Sequence, residues 1–163
     1  MDIAIIGGGA SGLCSAICAA RNLRKKGLSG KITVLERSQK VGRKLLATGN
    51  GRCNLMNENI SLSSFHGDIK IAESVFSRFS YDEISEFFSS LGLMVKERGN
   101  YVYPHSDQAS TVLELLKLEL HRLGIKILTG VQVTDITPIS SGFMIKLNTG
   151  KQKADAVILA CGG

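Results

Sequence analysis

Gly7, Gly9 and Gly12 stand at the spacing GxGxxG within GGGASG, directly after the apolar run Ile3–Ile6 and at the opening of the apolar stretch that begins at Leu13. In that setting each glycine has its own task. One makes a tight turn, one lets a pyrophosphate approach the backbone, and one lets a helix lie close on a strand, with the first helical N–H groups facing the anion. Glu36 ends the run KITVLE, 24 residues beyond Gly12, near the spacing at which a carboxylate accepts from both hydroxyls of a ribose. Gly7, Gly9, Ala10, Ser11, Gly12 and Glu36 are therefore candidates for a dinucleotide site. The competing reading is a glycine turn that only packs a helix on a sheet, with Glu36 an ordinary strand end; the strand, turn, helix, strand context favours binding. The fingerprint does not separate NAD from FAD, whose adenosine halves are the same. Arg37 completes the set, but the acid before it would repel a 2′-phosphate, which disfavours NADP here.

The elements that must position these residues are legible as periods. Ile3–Ile6, a helix from Leu13 to Lys26 stopped by Gly27, and Lys31–Glu36 make a βαβ unit. Residues 37–64 lack a period and are expected to form an ordered loop region with up to one helical turn, of the kind that carries function. Apolar residues at helical spacing between Ile69 and Leu91 predict two helices broken near Ser80, packed on the sheet or over the loop. Met94–Pro104 alternates around Gly99 and Asn100 as a hairpin. Asp107 is expected to cap an amphipathic helix with Val112, Leu113, Leu116, Leu120 and Leu123 on one face and Gly124 as its stop. The runs IKIL, VQVTDI, FMIKL and ADAVILA follow as strands, the last two entered by turns at 140–142 and 148–151.

Bulk properties narrow the function classes. The chain of 163 residues is 44% hydrophobic, enough for one real core, and carries a net charge of +6 with a pI near 9.3. Its basic residues are dispersed; the densest run, Arg21 to Lys26, falls at a helix end, where cations suit the macrodipole. The aromatics do not interleave with the basics, so no nucleic-acid platform is expected. Cys14, Cys18, Cys53 and Cys161 lack metal-ligand spacing, so no metal site is expected and the thiols are read as reduced, in keeping with a cytoplasmic protein. Asp2 and the glycines argue against a signal peptide, and no membrane span is expected.

VGRKLLATGNGRCNLMN, Val41–Asn57, resembles the signature of the HI0933-like flavoprotein family. These are FAD enzymes of the two-dinucleotide-binding-domain type, related in their nucleotide-binding half to glutathione reductase. YVYPHSDQAS and ILACGG resemble later motifs of that family in the same order, so the similarity covers essentially residues 1–163. The fold it implies is α/β, a Rossmann-like FAD/NAD(P)-binding domain with a parallel sheet plus a small antiparallel β-meander.

The resemblance also implies site residues. Arg43 and Lys44 would lie near the ribose and pyrophosphate, and Asn50, Gly51, Arg52 and Asn54 near the flavin. Val133 would present its backbone to the adenine edge, and Gly162 and Gly163 would end a strand beside the cofactor. Bare N–H groups and a fixed cation suit an anionic reduced flavin; read from composition alone, the same stretch is also compatible with a Gly/Asn turn whose Arg52 makes a surface ion pair. Cys53 has no second cysteine nearby and is expected to be a packed side chain. His66, His105 and His121 are expected to be structural.

Family members continue beyond a substrate-covering insertion to a segment that completes the FAD site. On that ground the 163 residues are expected to be an incomplete FAD-binding domain, with weak or no retention of FAD, no turnover by itself, and possible self-association through exposed surface. The parent is expected to transfer hydride through flavin N5 to or from a small organic substrate, with NAD(P)H as the expected donor. An NAD-dependent dehydrogenase domain and a non-catalytic dinucleotide-binding module are the competing classes.

Overall fold

The computed structural model describes residues 1–162; Gly163 lies outside the described residues, and so does the expectation placed on it. In chain order the elements are β1 (Asp2–Ile6), α1 (Ala10–Lys25), β2 (Lys31–Glu36), α2 (Arg43–Ala47), β3 (Met56–Asn57), α3 (Ile69–Phe76), α4 (Tyr81–Ser89), β4 (Val95–Arg98), β5 (Tyr101–Pro104), α5 (Ala109–Arg122), β6 (Lys126–Thr129), β7 (Val133–Ile139), β8 (Gly142–Leu147), β9 (Gly150–Ala154) and β10 (Ala156–Leu159). Short 3-10 turns at Thr48–Gly51 and Leu62–Ser64 complete them. They form two compact units, one of Met1–Leu45 with the chain from Leu116 onward, the other of Leu46–Leu115.

The first unit is a parallel sheet in the order β10-β1-β2-β6. Its central strands read as near-continuous apolar runs because both faces are covered: Ala4, Ile5, Val34 and Leu35 are fully buried. On one face α1 packs through Leu13, Ala16 and Ile17. On the other, Ala4, Ile6 and Leu35 join Ile145 and Ala154 of the antiparallel meander β7-β8-β9 in one apolar cluster. Parallel sheet and meander are thus both present as expected. The strand β9 was not anticipated: GKQKA lacks apolar alternation, and it is held by pairing along β8, from Phe143 with Ala154 to Leu147 with Gly150. The run ADAVILA is accordingly split between β9 and β10.

The second unit holds a sheet in the order β3-β5-β4, with the hairpin turning at Gly99 and Asn100. Helices α3 and α4 break at Ser80 as expected, because Ser80 and Glu83 form a reciprocal capping box. They do not bury a face: neither helix has a buried residue, and Ile71 and Phe79 are 65% and 56% exposed. Local capping, including Asp68 Oδ1 accepting from the Lys70 amide at 3.0 Å, forms them where packing does not. The 37–64 region holds more structure than one turn, with α2, two 3-10 turns and β3.

Asp107 is not the cap of α5. It lies two residues ahead of Ala109, and its left-handed backbone, φ +56°, turns the carboxylate to Lys96 and Arg98 instead. The apolar face of α5 is as read, with Val112, Leu113, Leu116, Leu120 and Leu123 all buried and Gly124 at φ +74° ending the helix. Within the first unit Glu119 of α5, 8% exposed, accepts from Arg21 of α1 at 2.8 Å and from Arg122 at 2.6 Å.

Candidate cofactor site

The loop after β1 is shaped by what its glycines leave out. A Cβ on Gly12 would stand 1.9 Å from the Gly7 carbonyl oxygen, and one on Gly7, whose φ is +112°, would stand 2.4 Å from the Ala160 oxygen. A Cβ on Gly9 would meet nothing within 4 Å. Gly7 and Gly12 are therefore required by the fold, whereas the bare backbone at Gly9 faces open space. Helix α1 starts at Ala10 with no side-chain cap and no acid in its first turn, so the amides of Ala10, Ser11 and Gly12 lie at an uncompensated positive helix end.

Gly8 joins this loop to the end of β2. Its amide donates to Glu36 Oε2 at 2.7 Å, and its carbonyl accepts from the Gly42 amide at 2.8 Å. The other carboxylate oxygen of Glu36 accepts from the Ser38 amide at 2.7 Å. Burial pushes the Glu36 carboxyl up, but the hydrogen bonds from Ser38 and Gly8, with the Arg37 charge, hold it below its ordinary value. Glu36 is thus ionised near neutrality, with remaining lone pairs available to hydroxyl donors.

Backbone bonds from Val131 to the Glu36 carbonyl and from Gly130 to the Ser38 carbonyl, both 3.0 Å, bring the entry to β7 alongside. The result is a cleft of about 200 Å³ at the carboxyl ends of the parallel strands, lined by Gly7, Glu36, Arg37, Gln132, Val133 and Cys161 among others. That is where open α/β sheets bind ligands. Its volume is below the roughly 300–1,000 Å³ of complete ligand sites and suits one nucleoside half. Lys44 lies on the same unit, with Nζ 3.7 Å from where a Cβ on Gly162 would be, so Lys44 and Gly162 are neighbours. Arg43 opens α2 and is exposed.

Asn50, Gly51, Arg52 and Asn54 belong to the second unit and are all exposed. Gly49, Asn50 and Gly51 have φ of +55°, +54° and +83°, a left-handed run that only glycine and asparagine adopt readily. The Arg52 amide donates to the Gly49 carbonyl at 3.1 Å and that of Cys53 to Thr48 at 3.0 Å, closing the turn. Cys53 is buried as expected, and burial pushes its thiol up. His66, His105 and His121 are exposed.

Sequence reasoning missed Gly8, Ser38, Gln132 and Cys161. Gly8 lies inside the quoted glycine run, and Gln132 beside Val133, but nothing in residue type marked the amide-to-carboxylate bond. Among the described residues no group of His, Cys, Asp and Glu could hold a metal, and no helix is long and apolar enough to cross a membrane.

The residues fit a dinucleotide: open backbone at Gly9, an ionised acid in the cleft and an unneutralised helix end. Comparison with known proteins agrees. The chain matches the HI0933-like protein Rossmann domain over residues 1–163. It is 51% identical over 162 residues to a 3-dehydro-bile acid delta(4,6)-reductase of Clostridium scindens, covering 99% of this chain and 39% of that protein. To a ribosomal RNA dihydrouridine synthase of Haemophilus influenzae it is 29% identical over 164 residues, covering 98% and 39%. The chain therefore spans 39% of the length of these curated relatives. Its fold is shared with a flavocytochrome c3 fumarate reductase in its open conformation, TM-score 0.68 at 18% identity over 99% of this chain and 33% of that one. It is shared also with THI4 of Thermovibrio ammonificans, TM-score 0.60 at 18% identity over 99% and 57%. The chain belongs to the HI0933-like family, whose Rossmann domain it matches from end to end.

Proposed function

We propose that residues 1–163 hold FAD for an oxidoreductase that reduces an organic small molecule. The observation that carries this is the cleft in which ionised Glu36, the glycine turn at Gly7 and the Val133 strand entry meet at the ends of the parallel strands. Glu36 would accept from the adenosine ribose, with Arg37 beside it, and Val133 would offer its backbone to the adenine. The amides of Ala10, Ser11 and Gly12 would face the pyrophosphate, with Arg43, Lys44 and Gly162 along the same side. Asn50, Gly51, Arg52 and Asn54 would face the flavin, where the Arg52 cation and left-handed backbone favour negative charge.

When bound, the flavin supplies hydride chemistry at N5, with NAD(P)H as the proposed donor. The 51% identity to a bile acid reductase supports a small-molecule substrate for the whole protein. A second reading, an RNA substrate, is supported by the lower similarity to ribosomal RNA dihydrouridine synthases.

The test is visible flavin absorbance after incubation with FAD and desalting, on a chain extended to the length of the curated relatives, followed by anaerobic addition of NADH or NADPH. Bleaching by either would support the donor assignment. Retention of NAD in place of FAD would replace this reading with the dehydrogenase one. Salt-sensitive retention on RNA would favour the second reading.

A further inference from the structure

Asp107 combines two costly features. It is a non-glycine residue with left-handed backbone, φ +56°, of the kind that persists where surrounding structure enforces it. Its Oδ1 is also buried without a hydrogen-bond partner, while Oδ2 accepts both from Lys96 Nζ and from Arg98 Nη2, the latter at 2.6 Å.

Lys96 and Arg98 alternate on β4 and so share a face, opposite Tyr103 and Tyr101 of β5. Tyr103 Cε1 lies 3.4 Å from where a Cβ on Gly49 would be, which sets the turn bearing Asn50, Gly51 and Arg52 at the same face of the hairpin. Arg52 makes no side-chain hydrogen bond among the described residues. The hydrogen bond from Lys96, against the opposing effect of burial and aided by the charges of Arg98, Lys96 and Arg52, holds the Asp107 carboxyl below its usual range. Arg52 is thus a guanidinium without an acceptor, within electrostatic reach of a carboxylate oxygen without a donor.

We propose that Asp107 is the positioning residue for Arg52: Oδ2 ties down Lys96 and Arg98 of the hairpin, and Oδ1 is the acceptor that orients the Arg52 guanidinium. The functional consequence rests on the reading above that Arg52 faces the flavin.

The side-chain Nε–Hε resonance of Arg52, identified by its loss in Arg52→Lys, tests the pairing without cofactor. A discrete, slowly exchanging signal in the wild-type chain that collapses into the bulk arginine signal in Asp107→Asn, with an unchanged melting temperature, is the expected result. An Arg52 signal indifferent to Asp107→Asn overturns the proposal. Should that variant not fold, the Asp107 carboxyl carbon is titrated in Arg52→Gln, where its midpoint must rise; an unmoved midpoint overturns the proposal equally. In FAD titrations, Asp107→Asn should raise Kd about tenfold and add little to the loss caused by Arg52→Lys, since both remove one interaction. If a chain extended to the length of the curated relatives takes up no FAD, the proposed function fails while the resonance still decides the role of Asp107.

Discussion

The Gly8 amide and the Glu36 carboxylate meet at 2.7 Å, joining the turn after β1 to the last residue of β2. One acid therefore both fixes the glycine turn and faces the cleft. Glu36→Gln replaces an acceptor with an NH2 group at one of two backbone amides, so the loop loosens as the proposed ribose contact weakens. FAD affinity should fall by about tenfold, read by quenching of flavin fluorescence. Because the folded carboxyl lies below its ordinary value, its contribution is complete above the ordinary carboxylate range and is lost as pH falls through the depressed value. Wild type and Glu36→Gln should converge only in acid.

Gly9 and Gly12 separate ligand approach from folding. Gly9→Ala meets open space, and Gly9 already has φ −79°, so the melting temperature should hold while FAD affinity drops sharply. Gly12→Ala drives a methyl to 1.9 Å from a carbonyl oxygen and should destabilise the chain itself, by about 2 kcal/mol or more. Thermal melts beside FAD titrations distinguish the two; equal behaviour would contradict the division.

Glu119 ties α1 to α5 through Arg21. Hydrogen bonds from Arg122, opposed by burial and reinforced by Arg21, hold its carboxyl down to about 2 from 4.5. Its stabilisation is present above about 4.5 and disappears as pH falls toward about 2. Glu119→Gln should cost about 1–3 kcal/mol at neutral pH and almost nothing near the lower limit, measured by urea unfolding across the range.

The exposed face of α3 predicts association. Ile71→Lys with Val75→Lys should lower any concentration-dependent mass in sedimentation while leaving stability within about 0.5 kcal/mol, since neither side chain is buried. An unchanged sedimentation profile would place self-association elsewhere.

Much of the fold was legible because burial on both faces writes itself as apolar runs, as in IAII and KITVLE, and because α5 repeats leucine at helical spacing. The glycine turn was legible because no Cβ fits at Gly7 or Gly12, and Glu36 because it ends a buried apolar strand. What escaped was set by partners rather than by local sequence. β9 is polar and exists through β8; Asp107 has a cap's residue type and position, but its left-handed backbone and the hairpin cations direct its carboxylate elsewhere; Gly8 acts through an amide that every residue but proline has. The amphipathic pattern of α3 and α4 predicted helices correctly but not burial, since periodicity reports a face and not what covers it.

The register of β1 with β10, from Ile3 opposite Ala156 to Ile6 opposite Leu159, has a consequence for how the chain matures on the ribosome. The glycine turn is synthesised well before Ala160, yet Gly7 is shaped against the backbone of that residue. Until that distant residue emerges, β1 has an unpaired apolar edge and the turn lacks one wall. Closure of the turn is therefore a late, high-contact-order event, and the nascent first half must be kept from pairing with other chains in the interval.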